Sequence, residues 1–147
     1  STLFPYTTLF RSPYSVAILD RSKLSTGAPE LRQAWQRALE LGRDSPRVAM
    51  LDAGIIFNAP PESGGSKERG IARWHEALRL FETEAGAPAD PISPRWGYAL
   101  ANGWLANLYL QMEPPQKENA RRATEAALRM RPDFWYMRER VLPQFGG

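Results

Sequence analysis

Apolar side chains return at spacings of three and four residues through most of this chain, and this periodicity restricts the fold more than any other feature. Because an α-helix turns once every 3.6 residues or so, the spacing gathers these side chains on one helical face. Ile71, Trp74 and Leu78 are one such set. No stretch shows the alternation of apolar and polar residues that is typical of a half-buried strand. The sequence therefore predicts an all-α protein.

Proline divides the periodic stretches into separate helices. Ser45-Pro46 and Ser93-Pro94 are predicted to start helices, because a polar residue can cap the helix and proline's missing N–H costs nothing in the first turn. Pro29 and Pro114-Pro115 are predicted to open two more. The predicted helices are 29–41, 46–58, 66–85, 94–112, 115–131 and 133–142.

The predicted helices alternate in character. Segments 46–58 and 94–112 are apolar on all sides, which is typical of helices contacted on two faces. Composition alone would also allow a strand at 46–58, but its alanines, its methionine and its Ser-Pro start favour helix. Segments 29–41, 66–85 and 115–131 are amphipathic with charged outer faces. This inner–outer alternation predicts stacked helical hairpins.

Short phrases recur along the chain. Ala77-Leu78-Arg79-Leu80 and Ala127-Leu128-Arg129-Met130 are alike in the outer helices, and phrases starting at Met50 and Asn102 are alike in the inner ones. They resemble the tetratricopeptide repeat, a helix–turn–helix unit of about 34 residues. The resemblance covers most of residues 29–142 and implies a short right-handed solenoid of antiparallel helical hairpins.

The repeats depart from the family pattern in two respects. The inner phrases lie further apart than one repeat, so the loops are enlarged, and Asn102 stands where the family has tryptophan. A Gly-Gly loop within 60–67 and a Pro-Arg-Trp-Gly phrase at 94–97 resemble a bacterial subgroup of such proteins.

Residues 1–12 differ from the rest of the chain. They have no helical period, and Thr2 to Ser12 resemble the in-frame translation of a sequencing adapter. We expect 1–12 to be non-native sequence or a disordered arm, with a docked extended arm as the alternative. A single repeat domain is expected over 13–147, with its own N-terminus missing. Localisation then stays open between the bacterial cytoplasm and the periplasm.

Composition excludes several classes of function. The chain has no cysteine and only one histidine, His75, which excludes disulfides, thiolate metal sites and multi-histidine metal sites within it. No apolar run is long enough for a membrane span. The net charge is only +3 and the charges alternate in sign, so nucleic acid is disfavoured as a partner.

Few residues invite a catalytic interpretation. The loop 60–67 lacks the Walker spacing and is interpreted as a hairpin loop capped by Ser66. No nucleophile or paired acid accompanies His75, so we predict no catalytic residue, cofactor or metal, and a protein that is not an enzyme. Trp35, Trp74 and Trp104 are predicted to be core residues, and Trp96 and Trp135 to be partly exposed.

A helical solenoid exposes a concave surface lined by its inner helices, and this surface is the predicted binding site. The predicted partner is a protein or an extended or helical peptide, and the protein is predicted to be a non-catalytic scaffold. The alternative is a structural subunit of a larger bacterial complex. The predicted partner-binding residues are Leu51, Ile55, Asn58, Leu100, Asn107 and Leu110.

The final predicted helix is interpreted as a C-terminal cap. Asp133 is predicted to cap it, Phe134 and Met137 to pack back on segment 115–131, and Pro143 to end it. The alternative is the inner helix of a further repeat.

Overall fold

A computed structural model of the protein describes residues 24–88 and 95–146, and these described residues contain helices and no strand. The all-α prediction is therefore confirmed for this part of the chain. The chain divides into two compact units, residues 1–43 and 44–147. The predictions for 1–12 and for Ser93-Pro94 lie outside the described residues.

The first unit contains helix α1, Leu24–Leu41. Pro29 lies inside this helix, so the prediction that Pro29 opens it is wrong: the helix begins five residues earlier. The predicted core residue Trp35 is half-buried, whereas Leu41 at the helix end is exposed.

The second unit contains four α-helices within its described residues. They are α2 (Pro46–Asn58), α3 (Lys67–Gly86), α4 (Tyr98–Leu110) and α5 (Lys117–Met130). A short 3-10 turn, Pro61–Ser63, lies in the loop between α2 and α3. After α5 comes an irregular helical stretch with a π-turn at Met137–Val141 and a 3-10 turn at Leu142–Phe145. We call residues 133–146 the C-terminal segment.

The predicted caps of α2 and α3 are confirmed. The Ser45 hydroxyl accepts a hydrogen bond from the Val48 N–H at 3.5 Å, and the Ser66 hydroxyl accepts one from the Arg69 N–H at 3.2 Å. Arg95 to Gly97, which were predicted to belong to the helix 94–112, are not helical. Gly97 takes a φ of 113°, which suits glycine, and α4 begins only after it.

Helices α2 and α3 form an antiparallel hairpin with a very close approach near its loop. A β-carbon on Gly70 of α3 would lie only 2.6 Å from Cβ and 2.8 Å from Cα of Phe57 in α2. Further along, Gly54 faces the ring of Trp74. The absence of a side chain at Gly70 thus lets the two backbones approach closely.

Helices α4 and α5 form a second antiparallel hairpin, which is lined by alanine. Ala106 of α4 and Ala120 and Ala127 of α5 are completely buried. At the loop end, the Gln116 N–H donates to the Tyr109 carbonyl at 2.9 Å. Because these side chains are small, the two helices pack closely without a glycine at the contact.

Helix α3 also packs antiparallel against α4 and so connects the hairpins. The indole N–H of Trp74 donates to the Ala101 carbonyl at 2.9 Å, and the Phe81 ring stacks on Tyr98 with centroids 5.6 Å apart. Trp74 is buried, as the sequence predicted. The core of this unit therefore runs from α2 through α3 to α4 and α5.

The C-terminal segment covers apolar surface, although not quite as predicted. Met137 and Val141 are 1% and 0% exposed, and both turns of the segment contact α5. Phe134 and Met137, however, lie against Gly103 of α4, where a β-carbon would meet Phe134 Cε1 at 3.0 Å and Met137 Sδ at 3.2 Å. A larger residue at position 103 would require these two side chains to shift.

Two details of the predicted cap are wrong. Asp133 does not cap the segment but forms an ion pair with Arg131, with Nε and Oδ1 3.3 Å apart. Pro143 does not end it, because proline is acceptable in the first turn of a helix and the 3-10 turn runs on to Phe145.

Candidate partner-binding cleft

An open cleft of about 480 Å³ lies between α4 and the C-terminal segment. Most of its lining is apolar or aromatic, with two amide side chains among it. The lining residues are Leu100, Gly103, Trp104, Asn107, Gln111, Phe134, Tyr136 and Met137. We call this surface the α4 cleft.

Large side chains are exposed at the α4 cleft. Trp104 is 51% exposed, and Tyr136 and Leu100 are also open to solvent. The prediction that Trp104 belongs to the core is therefore wrong. The apolar period places Trp104 correctly on α4, but α4 is apolar on all sides and its neighbours cover only some of them.

Asn107 supplies the main polar group of the cleft. Its Nδ2 donates to the Gly103 carbonyl at 3.2 Å, and its Oδ1 accepts from the Tyr136 hydroxyl at 3.4 Å. Since an amide nitrogen carries two hydrogens and its oxygen has two lone pairs, capacity remains on both atoms. Asn107 is half-buried and is thus held in place with hydrogen-bonding groups to offer.

The structure separates the predicted binding residues into three groups. Leu100 and Asn107 line the α4 cleft, as already described, while Leu110 is half-buried against the core. Leu51, Ile55 and Asn58 lie exposed on one face of α2 and do not line the cleft. The single groove predicted from the inner helices is therefore not formed by these residues together, because α3 packs between α2 and α4.

The sequence interpretation missed the side of the cleft formed by Phe134, Tyr136 and Met137. The apolar spacing after Asp133 was a valid signal that this segment packs on the helices. It carried no information about which face of which helix the segment meets, because that depends on the space at Gly103.

Arginine side chains lie over aromatic rings beside the cleft. The Arg131 guanidinium lies 5.6 Å from the centroid of Phe134, which lines the cleft, and that of Arg140 lies 5.7 Å from Trp135. Trp135 is exposed, as predicted. Both distances are within the range of cation–π attraction, so the rings hold these cations at the surface.

A second, shallower depression contains the only histidine of the chain. His75 Nε2 lies 2.7 Å from the Tyr109 hydroxyl, and the depression measures about 260 Å³. Partial burial, with a smaller effect from the Arg79 charge, lowers the pKa of His75, and burial raises the pKa of Tyr109. Both groups are therefore neutral near pH 7, and their hydrogen bond joins α3 to α4.

Trp96, which is exposed as predicted, lies beside an ion pair that connects three parts of the unit. The Arg47 guanidinium donates to both carboxylate oxygens of Glu84, at 2.6 and 2.9 Å, and to the Trp96 carbonyl at 2.6 Å. These hydrogen bonds and the Arg47 charge lower the pKa of Glu84. The contact fixes the start of α2 to the end of α3.

The glycine-rich loop uses its backbone groups internally. The Gly65 N–H donates to the Pro60 carbonyl at 3.1 Å, and the Ser66 N–H donates to the Ile56 carbonyl at 2.9 Å. These bonds support its interpretation as a hairpin loop.

Two kinds of feature are absent from the described residues. Among them, no cluster of three or more histidine, aspartate or glutamate side chains is arranged to hold a metal ion. Within the same residues, no helix combines the length and the apolar character needed to cross a membrane.

Comparison with known proteins gave no match: neither a family model, nor a curated protein, nor a solved structure is significantly similar to this chain.

Proposed function

We propose that the protein is a non-catalytic interaction module that binds a peptide or protein partner in the α4 cleft. The observation that carries this proposal is the exposure of Trp104 and Tyr136 around an apolar cleft with the half-buried amide of Asn107. Tryptophan and tyrosine contribute more to binding energy at protein interfaces than most residue types do. Leaving such side chains in water gives no folding benefit, and a partner would bury them.

The proposal includes the repeat architecture. The hairpins α2–α3 and α4–α5 are taken as tetratricopeptide-like units of a short right-handed solenoid, with the C-terminal segment as its cap. Supporting this, α2, α3, α4 and α5 are successively antiparallel, and Ala77, Ala106 and Ala127 are completely buried.

The test uses peptides selected from a displayed random library on the full chain, with affinities measured by calorimetry. Trp104→Ala and Asn107→Ala change the cleft, and Leu51→Ala is the matched control, since Leu51 is as exposed as Trp104 but lies on α2. Removing a central aromatic side chain typically costs 2 kcal/mol or more, so we expect Trp104→Ala to weaken binding roughly thirtyfold.

Two results would contradict the proposal that the α4 cleft binds the partner. One is unchanged affinity in Trp104→Ala, and the other is a larger loss in Leu51→Ala than in either cleft variant. Thermal melting of each variant separates loss of binding from loss of folding. Trp104 and Leu51 are more than half exposed, so their loss should disturb folding little, whereas Asn107 also bonds the Tyr136 hydroxyl and its variant needs this check most.

The second candidate function is a structural subunit that assembles with other chains. The exposed pair Leu51 and Ile55 on α2 favours it, because these side chains lie four residues apart on one helical face. Assembly is tested by light scattering over a range of protein concentrations. The unaltered chain is compared with a double variant that combines Leu51→Ser and Ile55→Ser. A particle that is larger than a monomer and that this double variant dissociates would support assembly, and a monomer throughout would contradict it.

A further inference from the structure

The side chains that line the α4 cleft from α4 itself form one stripe, and its polar members are two uncharged amides. The stripe recurs at spacings of four, three and four residues, so it follows one face of the helix and its C-cap. Its members are Leu100, Trp104, Asn107 and Gln111. Among the described residues, no charged side chain lines the cleft. Because burying an unpaired charge is costly, an uncharged stretch of a ligand matches this lining.

Both amides have hydrogen-bonding groups left for a ligand. The bonds of Asn107 to the Gly103 carbonyl and the Tyr136 hydroxyl occupy one N–H and one lone pair, and one of each remains. Gln111 is bonded through its backbone: its N–H donates to the Asn107 carbonyl at 3.2 Å, and its carbonyl accepts from the Lys67 ammonium at 2.7 Å. No hydrogen bond within the described residues uses its exposed side-chain amide.

A primary amide is complementary to the main chain of a peptide, because it donates through its nitrogen and accepts through its oxygen. In an extended chain, the N–H and C=O of one residue point to the same side and are open to a partner. In an α-helix, the same groups bond within the helix. Side-chain amides in a cleft therefore favour an extended ligand over a helical one.

The spacing of the two amides also fits an extended chain. Residues four apart on a helix have their β-carbons about 5–6 Å apart, and an extended chain advances about 6.4–6.8 Å in two residues, after which its main-chain groups face the same side again. The flexible side chains of Asn107 and Gln111 bridge the small difference. The stripe from Leu100 to Gln111 is roughly 16 Å long, which accommodates about five extended residues.

We propose that the α4 cleft holds about five residues of a peptide in extended conformation, with the main chain of two alternate residues bonded to Asn107 and Gln111. This inference rests on the proposed function and adds the conformation of the ligand and the way it is recognised. Uncharged side chains of the ligand lie against Trp104 and Leu100. Because the amides meet main chain, they select for conformation more than for sequence.

The experiment uses synthetic peptides that depend on the cleft. A displayed random library is selected on the full chain and counter-selected on Trp104→Ala. In one recovered peptide, each backbone N–H in turn is replaced by an ester oxygen, which removes the donor and keeps every side chain. One hydrogen bond contributes roughly two- to tenfold in affinity, so calorimetry should show losses of this size at two residues that lie two positions apart. The residue between them, whose N–H faces away, should show little change.

Variants of the protein assign each bond to its amide. Asn107→Leu and Gln111→Met remove the amides at nearly constant size, and in each variant one of the two sensitive esters should cause no further loss. Asn58→Leu is the matched control, because Asn58 makes the same local bond, from Nδ2 to the Gly54 carbonyl at 2.8 Å, outside the cleft. Since the Gln111 side chain is exposed, Gln111→Met tests the proposal without disturbing the fold.

The outcomes separate this inference from the proposed function. If peptides depend on Trp104 but their ester losses are the same in both amide variants as in the unaltered chain, the inference is overturned and the proposed function stands. The same holds if no two sensitive esters lie two positions apart. Recovery of no peptide that depends on Trp104 overturns the proposed function, and this inference with it.

Discussion

In the α2–α3 hairpin, ion pairs cross from one helix to the other, whereas in the α4–α5 hairpin the contact is made by alanines. Arg47 pairs with Glu84, and Arg73 Nε lies 2.9 Å from Asp52 Oδ2. On α5 the prominent ion pairs, such as Arg121 with Glu125, join residues of the same helix. The same antiparallel geometry is thus held by different interactions.

The difference determines which surfaces stay open. In the first hairpin, glycine and charge bring the helices together, and α3 covers one side of α2 while Leu51 and Ile55 remain exposed. In the second, small side chains bury little apolar area per residue, and the C-terminal segment contributes additional buried area. That segment meets α4 at Gly103 and Asn107 and leaves an open cleft beside these contacts.

The largest expected effect is the loss of the C-terminal segment. Ending the chain before Asp133 removes the buried Met137 and Val141 together with Phe134, and exposes the surface of α4 and α5 beneath them. Each large side chain contributes roughly 1.5–3 kcal/mol when buried, so we expect a loss of at least about 4 kcal/mol in the free energy of unfolding. Urea denaturation measures it.

A point substitution checks the same contact without shortening the chain. Met137→Ala should lose roughly 2–3 kcal/mol, while Trp135→Ala, at an exposed neighbour, should lose far less. An unchanged midpoint after truncation would show that the α4–α5 hairpin is stable without its cover.

The next effect tests the close approach in the first hairpin. In Gly70→Ala the new β-carbon would lie within 3 Å of backbone atoms of Phe57, so α2 and α3 must separate. Such overpacking costs about 1–3 kcal/mol, and rigid backbone on the other side places this site at the upper end. Thermal and urea unfolding measure the change.

Gly54→Ala is the matched control in the same hairpin. Its β-carbon would lie 3.7 Å from the Trp74 ring, which is an ordinary contact, and alanine is favoured over glycine in a helix by roughly 1 kcal/mol. We therefore expect no loss of stability there and a gain of up to about 1 kcal/mol. Equal losses at the two glycines would contradict the close approach at Gly70.

A smaller effect distinguishes the ion pairs of the two hairpins. Glu84→Gln removes the charge that Arg47 holds across helices and should cost roughly 1.5–3 kcal/mol, whereas Glu125→Gln, in an exposed pair within α5, should change stability little. Urea denaturation at pH 7 compares the two variants.

The pH dependence follows from the direction of the pKa shift. The folded pKa of Glu84 lies below its ordinary value of 4.5, so the stabilisation is complete above about pH 4.5 and is lost as the pH falls through the folded pKa. Glu84→Gln should therefore flatten the acid limb of the stability curve. If the free energy of unfolding of Glu84→Gln falls with decreasing pH as steeply as that of the unaltered chain, protonation of Glu84 does not contribute to acid unfolding.

Apolar periodicity predicts those features of the fold that depend on residues close together in the sequence. The bounds of α2, α3 and α5 follow from apolar spacing and from the caps at Ser45 and Ser66, because these are local properties. The start of α4 depends on the positive φ of Gly97, which packs beside Phe81, and no local pattern reports such a contact.

The candidate site was predictable only in part, for the same reason. Leu100 and Asn107 are identified by their position on an inner helix, but the exposure of Trp104 depends on which faces of α4 are covered. That is decided by the path of the C-terminal segment, which the space at Gly103 permits. Tertiary contacts of this kind leave no periodic signal in the sequence.

The smallest expected effect concerns the contact between the hairpins, where His75 Nε2 meets the Tyr109 hydroxyl at 2.7 Å. Tyr109→Phe removes this hydrogen bond while keeping the buried ring, and His75 is exposed enough to bond water instead, so we expect a loss of about 0.5–1 kcal/mol.

Because partial burial lowers the folded pKa of His75 below 6.5, protonation favours the unfolded chain. Stability should thus be complete above about pH 6.5 and should fall as the pH is lowered through the folded pKa. His75→Gln should remove this slope, which urea denaturation at pH 8 and pH 5.5 measures, with Glu125→Gln as the control that keeps it. A slope that persists in His75→Gln would assign the proton uptake to other groups and leave the contact between α3 and α4 insensitive to pH in this range.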